Sequence, residues 1–308
     1  MRRVRGTEAD ALNSFGAPDI LHDNGIWLPH NHRLAALAKQ RRIPRVVSTR
    51  GMLEPWALKH KKWKKTIAWL VYQRRDLASA DCHHATAEGE ARNIQSLGLD
   101  VPVSMIPNGV DLPKATPIST GSRLESGWRT ALFMGRICPV KGLPMLVDAW
   151  AKVRPSGWKL HIADPDEGGH RLEVEHAITA AALDETVSFL GPLETQAKQV
   201  AFSEADLFVL PSHSESFGMV IGEALAHKLP VLTTTAAPWP ILRDRKCGWC
   251  VDPSVAGLAE GLRQATSCDY DTLRAMGQRG QRLVAKEFGW ARIAKQFVEV
   301  YEALLNQT

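Results

Sequence analysis

Short apolar runs alternate along the chain with longer stretches whose apolar residues recur at helical spacing. In the first third, the runs predict strands near Asp19–His22, Arg45–Thr49, Cys82–Thr86 and Val103–Ile106, joined by helices near 31–40, 55–80 and 88–97. A second series follows, with strands near Thr130–Met134, Lys159–Ala163, Val187–Leu190, Leu207–Leu210 and Val231–Thr234, most of them trailed by a helix. Between the two lies 107–128, rich in Pro, Gly, Ser and Thr and without hydrophobic period, which predicts a linker. The chain closes on Trp290–Leu305, where Ile293, Phe297, Val300, Tyr301 and Leu304 recur on one helical face. Regular β/α alternation implies parallel sheets covered by helices. The expectation is α/β, with two Rossmann-like domains: 1–116, 117–290, and a last segment 291–308 returning to the first. In such sheets ligands bind beyond the carboxyl ends of the strands, so the chemistry is sought in the loops that follow them.

Composition adds boundaries. The 308 residues suffice for two domains, and 44% hydrophobic with 23% charged is typical of a soluble globular protein. No apolar run approaches a membrane span; Ile67–Tyr72 is short and flanked by basic residues. The opening MRRVRGTEADALNS has no apolar core, so no secretion signal is expected. Five scattered cysteines argue against a disulfide framework and fit a reducing cytoplasm, and Cys247-Gly-Trp-Cys250 reads as a strand end rather than a redox pair.

The net charge of +5 is uneven, because residues 1–110 hold 17 Lys+Arg against 10 Asp+Glu. The excess concentrates in Lys59–Lys65 and Arg74–Arg75, bracketing Ile67, Trp69, Leu70 and Tyr72. Such a stretch fits an anionic membrane surface, a solvated helix face, or a patch for phosphates or nucleic acid.

Two clusters carry chemistry. In Phe133-Met-Gly135-Arg136-Ile-Cys-Pro-Val-Lys141-Gly142, Gly135 permits a tight turn after a strand, and two cations precede a helix, a good clamp for a diphosphate. In Pro211-Ser-His-Ser-Glu215-Ser216-Phe217-Gly218-Met-Val-Ile-Gly222-Glu223, Glu215 lies in the loop after an apolar strand, and Ser216 and Gly218 open a helix that carries Glu223. Carboxylates there suit sugar hydroxyls, and the helix N–H groups suit a phosphate.

Together these residues resemble the retaining glycosyltransferases of family 4, which have the GT-B fold. Glu215 and Glu223 match the family's E-x7-E, with the first expected near the donor sugar and the second on the nucleotide ribose. Arg136 and Lys141 match its basic pair on the diphosphate, and Ser216, Phe217 and Gly218 its sugar and phosphate loop. Val187–Gly191, with Leu190, resembles the strand end beside the base. Ile106-Pro-Asn-Gly-Val110-Asp111 resembles the end of the first domain, and Phe288-Gly-Trp290 the tail that returns to it. The resemblance implies an acceptor-side first domain, a donor-binding second domain, and retaining hexosyl transfer from a nucleoside diphosphate sugar, with no metal and no resident cofactor. Catalysis would rest on Glu215, Arg136 and Lys141. Relatives often build cell-surface polysaccharides on lipid carriers, which favours a glycan or lipid-linked acceptor, a cytoplasmic protein on the inner membrane face through Lys59–Arg75, and no nucleic-acid partner.

On the acceptor side, Leu21–His32 and Ser48–Trp56 supply polar, aromatic loops after strands, with His22, Asn24, Trp27, Arg50 and Glu54 as candidates. His22, His30 and His32 read as hydroxyl partners rather than metal ligands. The sequence departs from the family pattern in three places. It enters the pattern just before Asp19, giving a shortened first domain without the usual glycine-rich loop. Asp164 stands where a Gly is usual, and Arg50 where many members have His. An Asp164 carboxylate beside a diphosphate would weaken donor binding, so the alternative is a catalytically silent binding or scaffold protein of the same fold.

Overall fold

The computed structural model describes Asp10, Gly16 and residues 18–113, 127–163 and 165–306. The expectations placed on residues 1–9, on most of the linker and on Asp164 concern residues outside those described. The chain forms two compact units, Met1–Asn108 with Ala291–Thr308, and Gly109–Trp290.

The first unit is built on four parallel strands in the order β1-β2-β3-β4: β1 (Leu21–Asn24), β2 (Arg45–Ser48), β3 (Cys82–Ala85) and β4 (Val103–Met105). Successive side chains of a strand face opposite ways, so Val46 and Val47 serve two cores. Val47 packs with Ile26, Leu53, Leu77, Ala85 and Ile94. Val46 packs with Cys82 and Leu304, with Val300 and Tyr301 against them. The apolar face of the helix Trp290–Leu305 therefore covers one side of this sheet.

One expected helix is broken. Instead of a continuous 55–80, the chain forms Pro55–Lys59, Lys62–Ala68, a π-helical turn Trp69–Gln73 and Arg74–Ala78. Lys61 adopts a left-handed φ of 51° at the break, inside a run of lysines whose like charges oppose one another across helical turns. The π-turn shifts the helical phase. Gln73 and Leu77 face inward, and Gln73 Oε1 accepts the Trp27 N–H at 2.8 Å. Trp63, Ile67, Leu70 and Val71 face out.

The second unit has six parallel strands in the order β10-β9-β8-β5-β6-β7: β5 (Arg129–Met134), β6 (Trp158–Ala163), β7 (Val187–Gly191), β8 (Leu207–Leu210), β9 (Val231–Thr234) and β10 (Gly248–Val251). β10 forms at the Cys247–Cys250 stretch that the sequence marks as a strand end. Cys247 precedes it and Cys250 lies on it; the odd spacing puts them on opposite faces, both buried and free. β8 is wholly apolar and buried, β9 (VLTT) is wholly buried, and β5 is apolar and buried over its last four residues, as expected of parallel strands covered on both faces. The chain enters mid-sheet at β5, runs outward to β7, and returns to β8 on the other side. The strand order reverses between β5 and β8, the kind of switch point beyond whose strand ends open α/β sheets bind ligands. Among the described residues no helix is long and apolar enough to cross a membrane.

Candidate functional site

Both clusters singled out in the sequence lie at this switch point, Gly135–Gly142 after β5 and Pro211–Gly218 after β8. Gly135 takes a φ of 155°, and its N–H donates to the Ala163 carbonyl at 3.2 Å. A short 3-10 turn, Pro139–Lys141, then ends at Gly142, whose φ is 67°. A Cβ on Gly142 would run into the Pro211 carbonyl oxygen, so glycine is what lets the two loops touch. They are also joined by the His213 N–H donating to the Val140 carbonyl at 2.8 Å.

This close approach brings Lys141 Nζ to 2.5 Å from Glu215 Oε1, with the two side chains only 14% and 10% exposed. Ser212 Oγ donates to the same carboxylate oxygen at 2.6 Å. The Glu215 N–H is anchored on the Ala236 carbonyl at 3.1 Å, and Thr234 Oγ1 donates to the Ser212 carbonyl at 2.5 Å. The loop after β9 thus supports the loop after β8. Phe217 is buried against Trp239 and Phe288, with ring centroids at 5.2 and 5.9 Å, and Trp239 Nε1 donates to its carbonyl at 2.5 Å. Gly218, at a φ of 77°, turns the chain into the helix Met219–Ala226, with Ser216 half-buried just before it.

Glu223 lies on that helix, where Gly222 packs so closely on Val110 that a Cβ would overlap it. Its carboxylate is taken by Lys198 Nζ, at 2.9 and 2.8 Å from its two oxygens. Arg136 is exposed and pairs with Glu167 at 2.5 Å. Leu190 is exposed near the end of β7. The structure therefore joins Lys141 to Glu215, with Gly135 alongside Lys141, and turns Arg136 toward a different carboxylate. Ser212, Lys198 and Trp239 were not expected. Lys198 and Trp239 meet Glu223 and Phe217 only through the fold, whereas Ser212 lies three positions before Glu215 in the same loop; no spacing motif marks any of them.

The acceptor-side candidates lie in the first unit. His84 Nε2 lies 2.8 Å from the Ile106 carbonyl, which can only accept, so this nitrogen carries the proton. His84 Nδ1 then accepts from Ser48 Oγ at 2.6 Å, Ser48 Oγ accepts from His22 Nε2 at 2.6 Å, and His22 Nδ1 accepts from Tyr301 Oη at 2.6 Å. With both imidazoles neutral, this chain of bonds fixes both tautomers. Burial, with His84 and Arg50 nearby, lowers His22 to about 4, and burial also lowers His84.

Arg50 holds a left-handed φ of 53°. Its guanidinium donates to Asn24 Oδ1 at 2.9 and 2.6 Å and to Asn108 Oδ1 at 2.8 Å. The buried Glu90 carboxylate fixes the flanks of Arg50, accepting from Thr49 Oγ1 and the Gly51 N–H, both at 2.6 Å. Trp27, with a φ of 76°, donates through Nε1 to the Met52 carbonyl at 3.3 Å. Glu54 accepts from Asn93 at 2.9 Å, and burial raises its carboxyl. His32 pairs with Asp76 at 2.8 Å. Among the described residues no group of three or more His, Cys, Asp or Glu is placed to hold a metal.

Residues 118–283 match the family described as "Glycosyl transferases group 1", and residues 5–109 match "Glycosyl transferase 4-like domain". A D-inositol 3-phosphate glycosyltransferase of Arthrobacter sp. (strain FB24) is 33% identical over 215 residues, covering 67% of this chain and 51% of that protein. A phosphatidyl-myo-inositol mannosyltransferase of Mycobacterium tuberculosis (strain CDC 1551 / Oshkosh) is 30% identical over 224 residues, covering 70% of this chain and 57% of that protein. The chain thus spans a little over half the length of these relatives. Among solved structures, Anabaena Alr3699/HepE in complex with UDP and glucose has a TM-score of 0.80 at 21% identity, covering 96% of this chain and 81% of that one.

Proposed function

From the premise that this chain belongs to the group 1 glycosyltransferases, we propose that it transfers a hexosyl group, with retention, from a nucleoside diphosphate sugar to a glycan or lipid-linked acceptor. The observation that carries the reading is the Lys141–Glu215 pair at the switch point between β5 and β8, where a doubly wound sheet takes its ligand. Negative charge grows on the leaving diphosphate during transfer. Lys141, Arg136 and the N-terminal N–H groups of the helix Met219–Ala226 would stabilise it. Glu215, held by Ser212 and Lys141, would orient the sugar hydroxyls, and Glu223 the ribose. Leu190 would flank the base. No protein nucleophile and no resident cofactor is required, since the leaving phosphate would take the acceptor proton. The UDP and glucose named for the Anabaena structure agree with such a donor.

On the acceptor side, His22, Asn24, Trp27, Arg50 and Glu54 would meet the acceptor. The reading extends to a peripheral site of action on the cytoplasmic face of a membrane, in surface polysaccharide assembly. It is supported by Trp63 and Leu70, which are 65% and 77% exposed within the lysine-rich stretch. Calorimetry with UDP, GDP and ADP on this chain and on Lys141→Ala tests the donor site. Micromolar binding of one nucleotide, lost in the variant, supports the reading; no binding by any of them moves the chain to a silent scaffold of the same fold.

A further inference from the structure

The second unit has a groove of about 600 Å³ at the end of its sheet opposite the two loop clusters, a size common among ligand pockets. Of its lining residues, Trp128 precedes β5, Ser156 precedes β6, and Asp184 and Glu185 precede β7. These strands run parallel, so the three segments meet at one end of the sheet. The six residues of β5 put about 20 Å of strand between this groove and the Gly135–Gly142 loop.

Trp128 is 44% exposed. Lys159 Nζ lies over its ring, 5.1 Å from the centroid, and Lys159 stands outside the lining of the groove. The indole is thus braced from behind. Trp150, 1% exposed, gives an apolar floor. Arg154 is tied across the end of the helix His170–Ala180, donating to the Ala181 carbonyl at 2.6 Å and the Ala182 carbonyl at 3.3 Å. A guanidinium has five N–H groups, so it keeps donors for a ligand. Asp184 Oδ1 accepts from Thr179 Oγ1 at 3.0 Å, which steadies a carboxylate whose other oxygen can also accept.

The charges around the groove select among ligand classes. An anion would meet two carboxylates and a helix carbonyl end, and Arg154 already answers that end. A cation would meet Arg154, with Lys159 behind Trp128. A wholly apolar ligand would cover the Arg154, Asp184 and Glu185 side chains without giving them hydrogen bonds. A neutral saccharide meets none of these penalties. Its hydroxyls both donate and accept, and the C–H face of its ring suits an indole that is apolar on its face and fixed in place.

We propose that this groove is a second saccharide-binding site, which holds a short neutral oligosaccharide with one ring on Trp128 and its hydroxyls on Arg154, Ser156, Asp184 and Glu185. The site is separate from the Lys141–Glu215 cluster and does not depend on the donor reading. It would keep a glycan chain on the protein at a distance from the loops that follow β5 and β8.

The test is an NMR titration of wild type, Trp128→Ala and Trp128→Phe with maltotriose, mannotriose and chitotriose, following the Trp128 indole N–H and the amides of Gly157 and Thr186, which line the groove. At least one trisaccharide is expected to bind wild type with a Kd on the order of 1 mM and to shift these signals. Trp128→Ala is expected to weaken that binding about tenfold, and Trp128→Phe, which keeps a ring, to restore part of it. An unchanged thermal midpoint in both variants shows that the loss is not one of folding. Absence of binding at about 10 mM for all three sugars overturns the proposal, as does equal binding by Trp128→Ala. Displacement of the sugar by UDP, GDP or ADP would place it at the donor cluster instead and overturns the separate site. Tighter binding of sulfated maltotriose than of maltotriose overturns the assignment to a neutral ligand.

Discussion

Lys141 and Glu215, 74 positions apart in the sequence, meet at 2.5 Å with both side chains nearly shielded from water. Removing one partner of so sheltered a pair strands the other charge, which costs on the order of 3 kcal/mol. Replacing both by neutral residues of similar shape removes that penalty. Lys141→Met and Glu215→Gln are each expected to destabilise Gly109–Trp290 by about that amount, and the double variant to recover most of it. Nucleotide binding is expected to stay lost in the double variant. Denaturant unfolding and calorimetry on the same four proteins separate the two effects; a double variant as unstable as the worse single one would show that the pair does not interact as described.

The neighbouring glycine makes a sharper prediction. Gly142 combines a left-handed φ of 67° with a close approach to the Pro211 carbonyl. Gly142→Ala is expected to cost about 2–3 kcal/mol from backbone strain and the displaced contact. Because this contact sets the spacing of the two loops, nucleotide affinity is expected to fall as well. Gly168→Ala is the control: its φ is 74°, but no atom lies within 4 Å of an added Cβ. It should carry the strain without the collision, and equal losses at both sites would refute the role given to Pro211.

Much of this site could be read from the chain, and the unread part has a common cause. The central strand β8 (LFVL) is an apolar run buried on both faces, and such a run is visible in one dimension. Glu215 and Lys141 stood out because each lies at a fixed offset from a strand end. β10 was legible only as a strand end, because Gly248-Trp-Cys-Val is short and opens on a glycine, a residue that weakens strand propensity. The helix expected over 55–80 is interrupted at a point the sequence does not mark, because apolar spacing shows that residues are helical but not where a left-handed Lys61 breaks them. Lys198, Ser48 and Glu90 went unseen because their partners lie 25 to 41 positions away, and only the fold decides which carboxylate a given lysine meets.

The His22–Ser48–His84 chain predicts a pH dependence. His22 is lowered to about 4 from an ordinary value near 6.5, so between these limits the unfolded chain binds a proton that the folded one does not. The contribution is therefore fully present above pH 6.5 and is lost as pH falls toward 4. His83 and His84, also lowered by burial, act in the same sense. Asp23, Glu54 and Asp76, raised by burial, act in the opposite one. Comparing wild type with His22→Gln cancels the groups remote from it, while His84, bonded to it through Ser48, remains part of the difference. The stability difference between the two proteins should narrow from pH 7 to pH 4, and a constant difference would refute the assignment.

The outward face of the interrupted helix predicts membrane binding. Trp63, Ile67, Leu70 and Val71 recur at helical spacing and are all exposed, amid lysines at 59, 61, 62 and 64. Each basic residue near an anionic surface contributes about 1 kcal/mol, a contribution that salt screens. Sedimentation with vesicles containing anionic lipid is expected to carry the chain down at low salt, less at high salt, and not with neutral vesicles. Leu70→Asp should abolish the effect without changing thermal stability, since Leu70 is exposed. Unaltered binding by that variant would leave only non-specific attraction to charge.

Glu90 holds the Arg50 loop through the two residues that flank Arg50. The carboxylate is almost fully buried and accepts four hydrogen bonds, from Thr49 Oγ1, the Gly51 N–H, the Thr86 N–H at 2.8 Å and Thr86 Oγ1 at 2.7 Å. In Glu90→Gln, one oxygen becomes an NH2 group, which can only donate. The threonine hydroxyls can turn round to accept from it, but a peptide N–H cannot. Whichever way the amide is oriented, it faces either Gly51 or Thr86 donor to donor. An unsatisfied buried donor costs about 1–3 kcal/mol, and relaxation at Gly51 would release the left-handed Arg50 beside it. Amide exchange at Gly51 or at Thr86, according to the orientation adopted, should therefore accelerate in the variant more than exchange in β3, and Arg50 should lose its bonds to Asn24 and Asn108. Uniform acceleration across the unit would instead mean that Glu90 supports the fold without specifically holding the loop.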